Sequence, residues 1–211
     1  MKLIPGKDMA LRLGIFLLLM MLGAPLVATP GELAPPQQVV EQISNQLHQV
    51  LNSDRDRLQR DPGYIYQLAN EILVPHVDFP RVSSLVLGKY WRRATPQQRE
   101  QFSQEFQRLL VRTYSTAFHQ FGDWEIRYMP VRMSEDGARA VVRIKVSRPT
   151  AEPVEVLYHM HLKEGEWLAY DVKVDGISLI TNYRSTFSKE IRRVGMDGLI
   201  DKLSSMNGQP A

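Results

Sequence analysis

Two hydrophobic rhythms divide the chain, and the change between them falls at Gly122. Before it, apolar residues recur every three or four positions. Val39, Val40, Ile43, Leu47, Val50 and Leu51 mark an amphipathic helix entered through Pro36. Asp61-Pro62 opens a second, with Tyr64, Ile65, Leu68, Ile72 and Leu73 on one side, stopped before Pro75. Residues 78–87 predict a third, with Pro80 in its first turn, Val82, Leu85 and Val86 inward, and Gly88 as C-cap. The longest begins at Thr95-Pro96-Gln97-Gln98, where Thr95 is the N-cap and Gln98 reaches back to complete a capping box. Its apolar face is Phe102, Phe106, Leu109, Leu110, Thr113, Tyr114, Ala117 and Phe118.

After Gly122 the period drops to two. Ile126 and Tyr128 oppose Arg127, and Ala140, Val142, Ile144 and Val146 oppose Arg139, Arg143 and Lys145. Val154, Val156, Tyr158, Met160 and Leu162 oppose Glu155, His159, His161 and Lys163. Leu168, Tyr170, Val172 and Val174 oppose Asp171 and Lys173. These are four half-buried strands. Asp136-Gly137, residues 149–153 and Glu164-Gly165 are short connections, so the strands should form an antiparallel meander. Such a sheet has one greasy face, which the helices must cover. A fifth helix over 177–194, ending at Gly195, and a short last one over 197–203 complete an α+β domain.

At 211 residues the chain is long enough for one well-packed domain, placed here at 36–205 with a flexible tail over 206–211. The N-terminus reads separately. Lys2, Lys7 and Arg12 precede an apolar run from Leu13 to Leu22, then Gly23, Ala24, Pro25 and the small Ala28. That run is about half the length of a membrane span, so residues 1–28 predict a cleaved signal peptide, with 29–35 a flexible lead-in. Cysteine is absent, which removes disulfides and a lipidated anchor. Three of the 26 bases and one of the 23 acids leave with the leader, taking the net charge from +3 to +1. Cations still crowd the stretch from Arg81 to Arg148, read as solvated faces rather than a docking patch.

Catalytic and phosphate-binding motifs are missing: no glycine-rich dinucleotide loop, no phosphate loop and no nucleophile elbow occurs. His159 and His161 share one strand face without a third ligand at metal spacing, and are read as solvated. Asp171 and Asp175 flank a strand end beside Tyr170, where an acid/base site is conceivable, although turn and surface roles account for both. The tryptophans are scattered without basic interleaving, which argues against nucleic acid. Periodicity gives a covered sheet and leaves open whether its interior is filled or hollow.

Longer signatures go further. Leu85-Val86-Leu87-Gly88-Lys89-Tyr90-Trp91 running into Ala94-Thr95-Pro96-Gln97-Gln98-Arg99-Glu100, then Asp171-Val172-Lys173-Val174-Asp175-Gly176-Ile177-Ser178-Leu179-Ile180-Thr181-Asn182-Tyr183-Arg184, and Gly195-Met196-Asp197-Gly198-Leu199-Ile200, resemble the toluene-tolerance family collinearly. Its members are periplasmic phospholipid carriers of the Mla intermembrane lipid-transport pathway. The resemblance implies a helical cap on a curved antiparallel sheet, a nuclear-transport-factor-like cone whose apolar cavity holds acyl chains. It implies no catalysis and no cofactor beyond bound phospholipid as cargo. The implied partners are an outer-membrane lipoprotein–porin complex and an inner-membrane transporter of the ATP-binding-cassette type with its substrate-binding ring.

A carrier must match what water would forfeit. At about 0.8 kcal/mol per methylene, two chains of about 15 carbons represent on the order of 20 kcal/mol. The expected lining is the greasy sheet face (Ile126, Tyr128, Val142, Ile144, Tyr158, Met160, Tyr170, Val172) and the opposed helices (Val82, Leu85, Val86, Tyr90, Leu109, Leu110, Tyr114, Phe118, Ile180), some of them solid core instead. Val142→Trp is expected to reduce bound lipid in a folded protein. An isomerase-like pocket enzyme using Asp171 or Asp175, and a structural periplasmic adaptor, are the competing readings.

Overall fold

The computed structural model describes residues 33–61, 63–115, 124–148 and 151–208. Its helices come first: α1 (Pro35–Ser53), α2 (Arg55–Arg60), α3 (Tyr64–Ile72), a 3-10 turn (Val74–His76), α4 (Phe79–Leu87), α5 (Lys89–Arg93) and α6 (Pro96–Ser115). The strands follow as β1 (Glu125–Tyr128), β2 (Arg132–Met133), β3 (Arg139–Arg148), β4 (Ala151–Lys163), β5 (Glu166–Val174) and β6 (Ile177–Ser178), and α7 (Leu179–Asn207) closes the chain. This is the expected α+β arrangement. Gly122, Phe118 and the leader lie outside the described residues.

Local chemistry fixes the helix starts. The Thr95 amide donates to Gln98 Oε1 at 3.0 Å and the Gln98 amide to Thr95 Oγ1 at 3.1 Å, the reciprocal box read from the sequence. Asp78 caps α4 by accepting from the Arg81 amide at 3.1 Å. Gly88 ends that helix at a φ of 54°, which a side chain would resist. Gly195, at φ 79° and ψ −178°, breaks α7 where a helix end was expected, and the chain resumes helix on the far side.

The sheet is a six-stranded antiparallel meander in the order β1-β3-β4-β5-β6, with β2 also paired to β3. β1 and β2 lie along one edge of β3, against Ile144–Ser147 and Ala140–Val141 respectively. Two of the differences from expectation are local. Ile177 and Ser178 pair back onto Val174 and Lys173 as β6 instead of opening the last helix, which Ser178 caps by accepting from the Thr181 amide at 3.1 Å. That helix also runs to Asn207, whose Nδ2 donates to the Glu105 carbonyl oxygen at 2.9 Å, beyond the boundary expected at 205.

The third difference changes which residues face which way. Between His159↔Asp171 and Met160↔Ala169 the register slips by one, leaving Tyr170 as the extra residue of a β-bulge. From there to Glu166 the alternation is inverted. Ala169 and Trp167 join the greasy face, and Leu168 pairs with His161 on the other. Tyr170 packs against the helical core instead of the greasy face where the uninterrupted alternation put it. Val77 bridges Ala169 in parallel, and the Asp78 amide donates to the Ala169 carbonyl at 3.0 Å, so the bulge is also where the helical layer grips the sheet.

Three apolar clusters result. Val82, Val86, Leu87, Phe102, Phe106, Leu109, Ile180, Phe187, Leu199, Ile200 and Leu203 form the core among α4, α6 and α7. Leu47, Leu51, Leu58, Tyr64, Ile65, Leu68 and Ile72 join α1, α2 and α3. Val142, Ile144, Val146, Met160 and Ala169 form the third, on the sheet, beneath Val40 of α1.

Candidate functional site

In the sheet cluster the partly buried apolar side chains outnumber the buried ones, whereas in the other two the buried ones are the majority. Val142, Ile144 and Met160 are 0–2 % exposed and make a solid floor. Around them Trp124, Ile126, Tyr128, Val131, Val156, Tyr158 and Trp167 are only partly buried. Partly buried apolar side chains gathered on one face, four of them aromatic, are the kind of surface that an apolar ligand covers.

Among the described residues, helix α1 lies over this cluster. Gln37 pins it: its Nε2 donates to the Met129 carbonyl between β1 and β2 at 2.8 Å, while its Oε1 accepts from the Ala34 amide at 3.2 Å. This buried amide sets α1 across the sheet with Val39 and Val40 inward. Farther along, a hydrogen bond with Ser44 meets the Tyr128 phenol, whose pKa burial nonetheless raises. Burial pushes the Tyr158 phenol up to about 12, with a smaller contribution from Tyr128. Yet Tyr158 keeps accessible surface.

The expected lining is therefore divided. Ile126, Tyr128, Val142, Ile144, Tyr158 and Met160 come together on the sheet, and Val172 pairs with Tyr158 beside them. Val82, Leu85, Val86, Tyr90, Leu109, Leu110, Ile180 and Tyr170 instead belong to the helical core, which packs on itself. Tyr114 is 40 % exposed and hydrogen-bonds Tyr183. Val142 is fully buried floor, so a tryptophan there would disturb packing before it displaced a ligand. Val39, Trp124, Val131, Val156 and Trp167, outside the expected lining, also pack against the sheet cluster. Strand parity could have supplied Val156, whereas the bulge hid Trp167.

The polar candidates resolve differently. Asp171 accepts from the Ser178 hydroxyl at 2.8 Å and the Ile180 amide at 3.3 Å, which fixes the start of α7. Asp175, just past the end of β5, accepts from the Glu155 amide of the neighbouring β4 at 3.0 Å. Both carboxylates hold backbone in place rather than facing a reaction space. His161, expected in solvent, is 9 % exposed, with Nε2 at 3.0 Å from the buried Asp78 Oδ2. Burial and Arg81 hold its pKa below the ordinary value, against the pull of Asp78. No group of three or more metal-ligating side chains occurs, and no helix is long and apolar enough to cross a membrane, among the described residues.

Comparison with known proteins places this geometry. The solved structure of a phospholipid-binding protein from Ralstonia solanacearum, in complex with a phospholipid, aligns with a TM-score of 0.75 at 30 % identity, covering 83 % of this chain and 98 % of the other. The toluene tolerance protein ttg2D of Pseudomonas putida is 30 % identical over 182 residues, 86 % of this chain and 83 % of the relative. The intermembrane phospholipid transport system binding protein MlaC of Haemophilus influenzae is 24 % identical over 178 residues, 83 % of each chain. The family model for the MlaC protein matches residues 41–205, from α1 through most of α7, and on that extent the chain belongs to the MlaC protein family.

Proposed function

We propose that this protein is a non-catalytic periplasmic carrier that holds a phospholipid by its acyl chains against the sheet wall. It collects and delivers that lipid between an outer-membrane lipoprotein–porin complex and an inner-membrane transporter of the ATP-binding-cassette type with its substrate-binding ring. The outcome is maintenance of outer-membrane lipid asymmetry. Residues 1–28 direct export and are removed, and residues 36–205 are the working domain.

The observation that carries this reading is the partly covered apolar wall of Trp124, Ile126, Tyr128, Val156, Tyr158 and Trp167 under α1. The related Ralstonia protein was solved with a phospholipid bound, and the named relatives are transport and tolerance proteins. Acyl chains seated there exchange a bilayer for an apolar wall at little net cost, so partners can set the direction. The two aspartates an enzyme reading would need are engaged with backbone.

Organic extraction of the purified protein followed by lipid mass spectrometry tests this. Phospholipid should be recovered at up to about one molecule per chain, chemically unaltered. Protein that neither carries lipid nor takes it from vesicles would overturn the reading, and aspartate-dependent conversion of the lipid would replace it with an enzyme.

A further inference from the structure

The side of the sheet turned away from the apolar wall carries charge that lipid carriage does not use. Val141, Arg143, Leu157, His159 and Lys173 alternate with Val142, Ile144, Tyr158, Met160 and Val172, so they share the second face. The register sets Arg132 beside Val141, Val141 beside His159, Arg143 beside Leu157, and Leu157 beside Lys173. With Pro130 these residues line a groove of about 230 Å³. A water's share of liquid volume is about 30 Å³, so the groove has room for a group of several heavy atoms.

Its chemistry is one-sided. Three of the seven lining residues are cations and none is an acid. Among the described residues the Arg132 and Lys173 side chains meet no carboxylate at ion-pair distance, and Arg143 reaches only Glu155, Nε to Oε2 at 3.7 Å. Asp171, the other nearby acid, already accepts from Ser178 and Ile180. His159 adds a directional group. Its Nε2 is buried without a hydrogen-bond partner, which is costly unless something fills the place. Burial, and then Lys173, hold that imidazole below its ordinary pKa, so at neutral pH it is uncharged and can carry its proton on Nε2 as a donor.

We propose that this groove binds a phosphate group, with Arg132, Arg143 and Lys173 balancing its charge and His159 donating from Nε2 to one of its oxygens. The phosphate has two possible sources, free inorganic phosphate or the phosphodiester of a lipid headgroup at a bilayer surface. The site sits on the opposite face from the acyl-chain wall and stands or falls without it.

Side-chain nitrogen NMR of His159 in the purified protein, titrated with inorganic phosphate at fixed ionic strength, reads the site directly. Phosphate should shift the His159 resonances and raise the His159 pKa, and chloride should do neither. Arg143→Gln with Lys173→Gln should weaken the response at least tenfold while co-purified lipid stays unchanged. Should that double variant misfold, the exposed Arg132→Gln serves, with a smaller loss expected. Flotation with phosphatidylglycerol vesicles against galactolipid vesicles, which present no phosphate, separates the sources. A phosphate response without flotation assigns free phosphate, and phosphatidylglycerol-dependent flotation that the variants lose assigns the headgroup. An equal effect of chloride, a response the variants retain, or neither shift nor flotation overturns the site. Loss of bound lipid with the phosphate response intact would count against the carrier reading alone.

Discussion

The helical core and the sheet wall are made of the same residue types and differ in the share of them that is closed off from solvent. In the first, Phe102 stacks on Phe106 with ring centroids 5.5 Å apart, and Phe187 meets both edge-on at 5.6 and 5.4 Å, all three at most 5 % exposed. In the second, a floor as tightly buried is ringed by seven apolar side chains that keep some surface open. The cause is a mismatch of areas. α4, α6 and α7 present apolar faces to one another and close. α1 offers the sheet Val39 and Val40, and turns Leu47 and Leu51 toward α2 and α3. Apolar surface that finds no partner within the chain is available to something outside it. One region is mostly closed and the other keeps apolar surface open, which is the surface proposed above for the lipid.

That contrast can be broken at its solid end first. Phe106→Ala should cost about 3–5 kcal/mol of unfolding free energy, because it empties a centre where three aromatic rings meet. Urea denaturation measures it, and a loss below 1 kcal/mol would mean that the helical layer is not close-packed. Gly195→Ala should cost about 1–3 kcal/mol by the same measurement. Nothing lies within 4 Å of the added Cβ, so the penalty is one of backbone alone, at a φ and ψ only glycine adopts readily.

Acid should act more gently, and from the junction between the two regions. His159 and His161 both have folded pKa values below the ordinary 6.5. The unfolded chain therefore takes up protons that the folded one resists, and stability should fall as pH drops through about 6.5. Urea midpoints at pH 7.5 and 5.5 test the sign, and His161→Gln should flatten the slope. A midpoint that rises on acidification would show that Asp78 dominates His161 after all.

The open end sharpens the comparison with the smallest change in stability. Val156→Trp, set on the rim rather than the floor, should alter unfolding free energy by about 1 kcal/mol or less. It should cut the phospholipid recovered per chain by more than half. A folded variant with its full complement of lipid would remove Val156 from the binding wall.

Much of this contrast was legible in the residues. Thr95 and Gln98 announced α6, the three- and four-residue spacing of Phe102, Phe106 and Leu109 gave its buried face, and parity placed Val142, Ile144 and Met160 together. Which helix faces which apolar surface was not legible. Val82, Val86 and Leu109 look as suited to cover a sheet as to pack on other helices, since periodicity records that a face is apolar and not what it meets. His161 was misread for a related reason. Its strand parity is polar, but its partner Asp78 lies 83 residues away and arrives only with the fold. Short elements such as α2, α5, β2 and β6 were missed because five or six residues, or two, carry too little pattern to read.

The single surplus residue in β5 has a consequence for how this chain can tolerate insertions and deletions. Because Tyr170 stands outside the ladder, Trp167 and Ala169 turn to one side while Asp171 and Lys173 remain on the other, which straight pleating would not allow. Removing Tyr170 would restore unbroken pairing with Ala169 still opposite Met160 and Asp171 still opposite His159, whereas drawing Tyr170 into the ladder opposite Met160 would rotate every side chain from Glu166 to Ala169 through the sheet. In this strand the surplus position is held by what Tyr170 touches on the helices rather than by the pairing it interrupts.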